Sequence, residues 1–144
     1  MAKPLQYPLS RYRIDRPVDL AARPERDRLS APALKAFFNM MAAWKVRDED
    51  ARALLGGVSN GPFYEMKRNP ERTLDTDRLT RVSYLLGIYK ALHILHSPAL
   101  ADEWVHLPNR NPVFSGETPL AYMIRGGLPA FQTVRRLLDS RRAG

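Results

Sequence analysis

From Leu34 onward the large apolar residues fall at helical spacing. Leu34, Phe37, Phe38, Met41 and Trp44 share one face of a predicted first helix. Ser30 reads as its N-cap, with Pro32 in the first turn, and the helix is expected to end near Trp44. A second amphipathic stretch starts at Asp48, read as a capping carboxylate, with Ala51, Leu54 and Leu55 apolar and Gly56-Gly57 as the stop. A third runs from a cap at Ser59 or Asn60 to about Arg68, with Phe63 and Met66 inward. The longest follows. Asp75 or Asp77 caps it, and Leu79, Val82, Leu85, Leu86, Tyr89, Leu92, Ile94 and Leu95 give it a wide apolar surface before Ser97-Pro98. Such a helix has more apolar surface than one neighbour covers, so one face is expected against the preceding helices and another against a second copy of the chain, as a homodimer.

The first thirty residues show no such pattern. They hold Pro4, Pro8, Pro17 and Pro24, seven basic and four acidic residues, and few large apolar groups, which predicts an extended basic arm over 1–29. Beyond residue 97 the chain is turn-rich. Pro98 to Trp104 allows a short helix, and Leu107 to Pro112 reads as a stiff connector. Thr118 caps a helix with Pro119 in its first position, Arg125-Gly126-Gly127 breaks it, and Leu128 to about Arg141 forms the last.

The second and third helices, joined by a tight glycine turn, are spaced as a helix-turn-helix. Ala53 lies where the two helices approach, and Val58, Phe63 and Met66 face inward. The outer face then presents Ser59, Asn60, Gly61, Tyr64, Glu65, Lys67 and Arg68. In this motif the second helix enters the major groove. Ser59 and Asn60 are thus candidates for base edges or for capping the helix against a phosphate, Tyr64 for a base or a phosphate, and Lys67 and Arg68 for backbone phosphates. The competing reading is an ordinary αα-hairpin with a solvated outer face. Charge sharpens the choice. The chain has 23 Lys+Arg against 15 Asp+Glu and a net +8, which favours a polyanionic partner. The surplus sits at the two ends, with five basic residues and one acid from Arg125 to Gly144, and not on the predicted recognition helix.

Composition excludes other chemistry. There is no cysteine, hence no thiol catalysis, disulfide or thiolate metal site. His93, His96, Asp102 and His106 invite a metal reading, but their spacing matches no metal motif, and neutral histidines are expected. Hydrolase, phosphate-loop and dinucleotide signatures are missing, so the chain is expected to be no enzyme and to need no cofactor. No apolar run suits a leader or a span, which predicts a cytoplasmic protein with no membrane partner.

The residues from Trp104 onward resemble a known family. The order Trp104, Pro108, Asn109, Asn111-Pro112, Phe114, Gly116, Thr118-Pro119-Leu120, Gly126-Gly127, Val134 and Leu137-Leu138, closing on Gly144, is similar to the C-terminal toxin-binding domain of the Xre-MbcA-ParS antitoxins. Leu54-Leu55-Gly56-Gly57-Val58-Ser59 with Tyr64-Glu65-Met66-Lys67 resembles their Xre-like helix-turn-helix, and together the likeness spans about residues 30–144. The chain departs from the pattern in an extra glycine before the turn and in Gly61-Pro62, where a polar pair is usual. The resemblance implies an all-α protein: an Xre-like helix-turn-helix and dimerisation region at 30–97, then a helical toxin-binding domain at 98–144. It implies an antitoxin that covers the active-site cleft of a cognate RES-domain toxin, an enzyme that consumes NAD or transfers from it, and that binds operator DNA to repress its own operon. The implied toxin contacts are Asn111, Phe114, Thr118, Arg125, Arg135, Arg141, Arg142 and Gly144. A stand-alone helix-turn-helix regulator without a toxin is the alternative.

Overall fold

The computed structural model describes residues 19–143, which form seven α-helices and two 3₁₀ turns and, among the described residues, no strand. The first helix, α1, is Arg23–Ala43 and begins seven residues before the Ser30 cap expected from sequence. Pro24 occupies its first turn, where a missing N–H costs nothing, and Pro32 lies inside it. Ser30 is fully buried. Its hydroxyl donates to the Arg26 carbonyl (2.5 Å) and accepts the Leu74 N–H (2.8 Å), pinning the segment before the longest helix onto α1. Residues 23–29 of the expected extended arm are therefore helical, and residues 1–18 lie outside the described residues.

Next come α2 (Asp48–Leu54) and α3 (Asn60–Arg68). Gly56 and Gly57 between them both have positive φ, +97° and +86°, which glycine adopts without steric cost. Phe63 and Met66 are buried as their spacing predicts. The cap of α2 differs from expectation: Arg47 occupies the N-cap without a side-chain bond to the helix backbone, and Asp48 stands inside the helix, free to reach across to α3.

The longest helix, α4 (Thr76–Leu95), starts where Asp75 accepts the Arg78 N–H at 2.8 Å. Then follow α5 (Pro98–Glu103), a 3₁₀ turn at Trp104–His106, a second at Pro112–Phe114, α6 (Pro119–Gly126) and α7 (Leu128–Ala143). α4 is the central post: α1 packs along it, α7 returns alongside it, and α5 closes its end. Leu79, Val82, Leu85, Ile88, Ala91 and Leu92 are buried between these neighbours. The apolar surface from which a homodimer was expected is thus mostly covered inside the chain, and Ile94 and Leu100 are the large apolar residues still exposed around the α4–α5 junction. One apolar core runs from Leu34 to Leu138, without a break at the expected 97/98 boundary.

Candidate functional site

Two surfaces hold the residues singled out in the sequence. The first is the outer face of α3. Ser59 is the N-cap of α3 with no side-chain bond to the helix, and Ser59 and Asn60 are both exposed. Tyr64 and Lys67 are exposed but engaged: Asp48 accepts the Tyr64 hydroxyl at 3.0 Å on one oxygen and Lys67 Nζ at 3.3 Å on the other. Arg68 pairs with Glu65, and Arg47 with Asp50 at 3.3 Å. Gly61 and Pro62 fill the first turn, where neither offers a polar side chain. The structure therefore brings Ser59, Asn60, Tyr64, Lys67 and Arg68 onto one face whose charges are largely neutralised from within.

The second surface is the loop between the 3₁₀ turn at Trp104 and α6, with the end of α7. Phe114 is fully buried, edge-on to Trp104 at 6.0 Å and to Tyr122 at 5.3 Å, so its ring shapes the loop from below and has no surface for a partner. Thr118 caps α6 by accepting the Ala121 N–H at 3.1 Å. Asn111 accepts the Val113 N–H at 3.0 Å, and Asn109 accepts the Asn111 N–H at 2.9 Å. Arg125 bonds Glu117 at 2.5 Å and lies over the Tyr122 ring. These expected contact residues thus form the internal frame of the loop.

On α7, Arg135 is half-buried, with its Nε on Asp139 at 3.1 and 3.0 Å, and its guanidinium crosses α4 at Gly87. Sequence reading gave Gly87 no role. The signal for it is a glycine in mid-helix, which costs about 1 kcal/mol against alanine and so asks for a packing reason. Arg142 lies 3.7 Å from Asp139, and Arg141 and Arg142 are exposed. Gly144 lies outside the described residues.

The turn between α2 and α3 and the start of α7 come together at Arg81, another residue sequence reading did not single out. It bonds Asp77 at 2.9 Å, lies 6.0 Å from the centre of the Phe131 ring, and fills the space beside the Gly56 turn. The glycine turn between α2 and α3 and the first turn of α7 therefore share one cation.

Two of the three histidines have structural partners, while Nε2 of His96 is buried without a hydrogen bond. His106 reaches the Trp44 carbonyl, tying the C-terminal half to the end of α1. His93 stacks on Tyr89 with ring centres 4.1 Å apart and places Nε2 3.2 Å from Asp102. Burial, and then the charge of Asp102, pushes the Tyr89 phenol above its ordinary range. Among the described residues no group of three side chains is placed to hold a metal ion, and no helix is long and apolar enough to cross a membrane.

Residues 90–144 match the antitoxin Xre/MbcA/ParS C-terminal toxin-binding domain, a stretch that opens inside α4 and takes in α5, α6 and α7. The chain is 35% identical over 123 residues to the uncharacterized protein y4oB of Sinorhizobium fredii (strain NBRC 101917 / NGR234), an overlap covering 84% of this chain and 93% of that one. No solved structure matches it. An all-α chain whose last third is a toxin-binding domain is defined by its partner more than by a pocket of its own. It belongs to the Xre/MbcA/ParS antitoxin family, with a toxin for a partner.

Proposed function

We propose that this chain silences a RES-domain toxin acting on NAD, by covering the toxin's active-site cleft with the loop after Trp104 and the arginine-bearing end of α7. The observation that carries the reading is the toxin-binding match over residues 90–144. The framed loop, in which Asn111 and Thr118 accept backbone N–H groups, Phe114 packs on Trp104 and Tyr122, and Arg125 bonds Glu117, supports it as a platform. The exposed Arg141 and Arg142, continuing toward Gly144, support it as an arm. A cleft shaped for a dinucleotide accepts arginines where carboxylates or carbonyls line its mouth. In this reading the chain contributes no catalysis and needs no cofactor.

The same chain is proposed to bind operator DNA as a homodimer, with Ser59, Asn60 and Tyr64 toward base edges and Lys67 and Arg68 toward phosphates. The N-cap Ser59, which makes no side-chain bond to the helix, and the exposed Asn60 beside it favour this. Tyr64 and Lys67 then exchange Asp48 for DNA, which makes Asp48 a competitor of the operator. Residues 30–97 thus serve DNA and pairing, and 98–144 the toxin.

The test is enzymatic. The RES-domain protein encoded in the same operon is expected to deplete NAD alone and to stop on adding an equimolar amount of this chain. Continued NAD loss in the presence of a folded excess overturns the reading. So does an operon without such a gene.

A further inference from the structure

The residues between Leu107 and Thr118 divide into those that hold the loop and those that the loop presents. From this division we infer that Arg110, flanked by Leu107 and Val113, is the side chain by which the loop enters the toxin and meets a carboxylate there. This deepens the antitoxin reading and rests on it.

The holding set is extensive. Asn109 and Asn111 each turn a carboxamide oxygen onto an N–H two residues ahead. The ends of the loop are tied by Asn109 N–H to the Glu117 carbonyl (3.3 Å) and Glu117 N–H to the Phe114 carbonyl (2.8 Å). Ser115 is held in the left-handed region at φ +49°, uncommon for a residue with a side chain. Phe114, wedged between Trp104 and Tyr122, anchors the span from beneath. Pro108 and Pro112 restrict it further. Much of the ordering entropy that a binding loop loses on docking is therefore spent on folding, which is the condition for a tight preorganised contact.

The presented set is short. Leu107 is 42% exposed and Val113 37%, two of the five large apolar side chains that stay exposed among the described residues. Between them Arg110 is exposed. Within residues 90–144, Arg125, Arg135 and Arg142 each face a carboxylate of the chain, whereas Arg110, Arg136 and Arg141 have no partner among the described residues. Of these three, Arg110 alone sits on the clamped loop with aliphatic neighbours. An exposed arginine with an exposed aliphatic side chain three residues to either side has the composition of an interface hot spot, where apolar neighbours exclude water from the pair it forms. Its planar fork selects a carboxylate over a lone carbonyl.

The experiment is calorimetric titration of the full-length chain into the RES-domain protein of its operon, with circular dichroism as a folding control. Arg110→Ala is expected to weaken binding by about 30-fold or more, the loss that follows from truncating one side of a desolvated charge pair. Arg110→Glu is expected to abolish it, and Arg110→Lys to recover part of it. Leu107→Ser with Val113→Ser is expected to weaken binding while leaving the melt unchanged. Arg110→Gln replaces the alanine variant should that not fold. Binding by the intact chain with less than a twofold change in folded Arg110 variants overturns this assignment and leaves the antitoxin reading standing. No binding by the intact chain overturns both.

Discussion

A β-carbon at Gly87 would fall 1.5 Å from Nη1 of Arg135 and 2.7 Å from its Cζ, so the guanidinium of α7 crosses α4 through the space that glycine leaves open. The obstruction is the flexible end of a side chain, with the α7 backbone clear of it. Gly87→Ala therefore expels the guanidinium and leaves the helices in place. Alanine gains about 1 kcal/mol in helix propensity, and the partly exposed Arg135–Asp139 pair is worth under about 1 kcal/mol. Urea unfolding of Gly87→Ala is expected to lie within about 1 kcal/mol of the parent, while the Arg135 Nε–H resonance moves. A loss beyond about 2 kcal/mol means the helices themselves separate. If Arg135 contacts the toxin, the same variant weakens the complex without weakening the fold.

Ser30 is a structural hydroxyl in a fully buried position. Ser30→Ala keeps the methylene and removes the acceptor of the Leu74 N–H, which stays buried against α1. An orphaned buried donor costs about 1–3 kcal/mol. Chemical denaturation is expected to show a loss of that size with an unchanged m-value, because the same surface unfolds. A loss under about 0.5 kcal/mol means water reaches Leu74.

In the proposed operator complex, Asp48, which holds Tyr64 and Lys67 in the free chain, is a competitor of the DNA. Asp48→Ala frees both and removes a carboxylate from the end of α2 that faces α3. Operator binding, followed by fluorescence anisotropy, is expected to tighten several-fold, with a salt slope steeper by about one as Lys67 takes a phosphate. Weaker binding by a folded Asp48→Ala would mean that the pairing with Asp48 presents Tyr64 to the DNA.

The helix ends most legible in the sequence were those written in local chemistry. Asp75 caps α4, Thr118-Pro119 opens α6, and Gly126-Gly127 closes it, because each device acts within a few residues of itself. Ser30 misled for the same reason. Serine two residues before proline looks like a cap locally, and its true partner, Leu74, lies 44 residues away. Asp48 likewise reads as a cap until α3 folds back beside it. The surplus apolar surface of α4 was correctly seen, but periodicity does not say whose helix covers it, and here α7 covers most of it. In the candidate site, sequence pattern does not separate the side chains that hold the loop from those that the loop presents. Phe114, Thr118 and Asn111 hold the loop, and Arg110, with nothing to hold, gives no pattern to read.

Tyr89 supplies an alkaline signature. Its phenol is raised by burial first and by Asp102 second, so the folded state keeps the neutral form to higher pH than the unfolded chain does. The stability contributed by this group is whole below the ordinary tyrosine value of about 10 and is lost as pH rises from there through the folded value. Absorbance titration of the native protein is expected to show one phenol ionising late, and Asp102→Asn to bring it earlier. An unmoved late phenol in that variant would assign the whole shift to burial.

Deleting the end of α7 separates the tail's share of the proposed toxin contact from the loop's. Truncation from Asp139 confounds the question, since it also removes the carboxylate that holds Arg135. The clean deletion is Arg141–Gly144. It leaves Phe131, Val134 and Leu138 in the core and Arg135 on Asp139, so the melting temperature is expected to change by no more than a few degrees. If the arginine tail seals the cleft, the truncated chain binds the RES-domain protein at least about tenfold more weakly, the loss of one to two charge-assisted contacts. NAD loss then resumes at equimolar mixing. If the truncated chain still binds and still stops NAD loss, the tail is dispensable and the framed loop alone covers the cleft. The second outcome moves the weight of inhibition onto Arg110 and its two aliphatic neighbours. Loop and tail deletions combined then lose no more than the loop variant by itself.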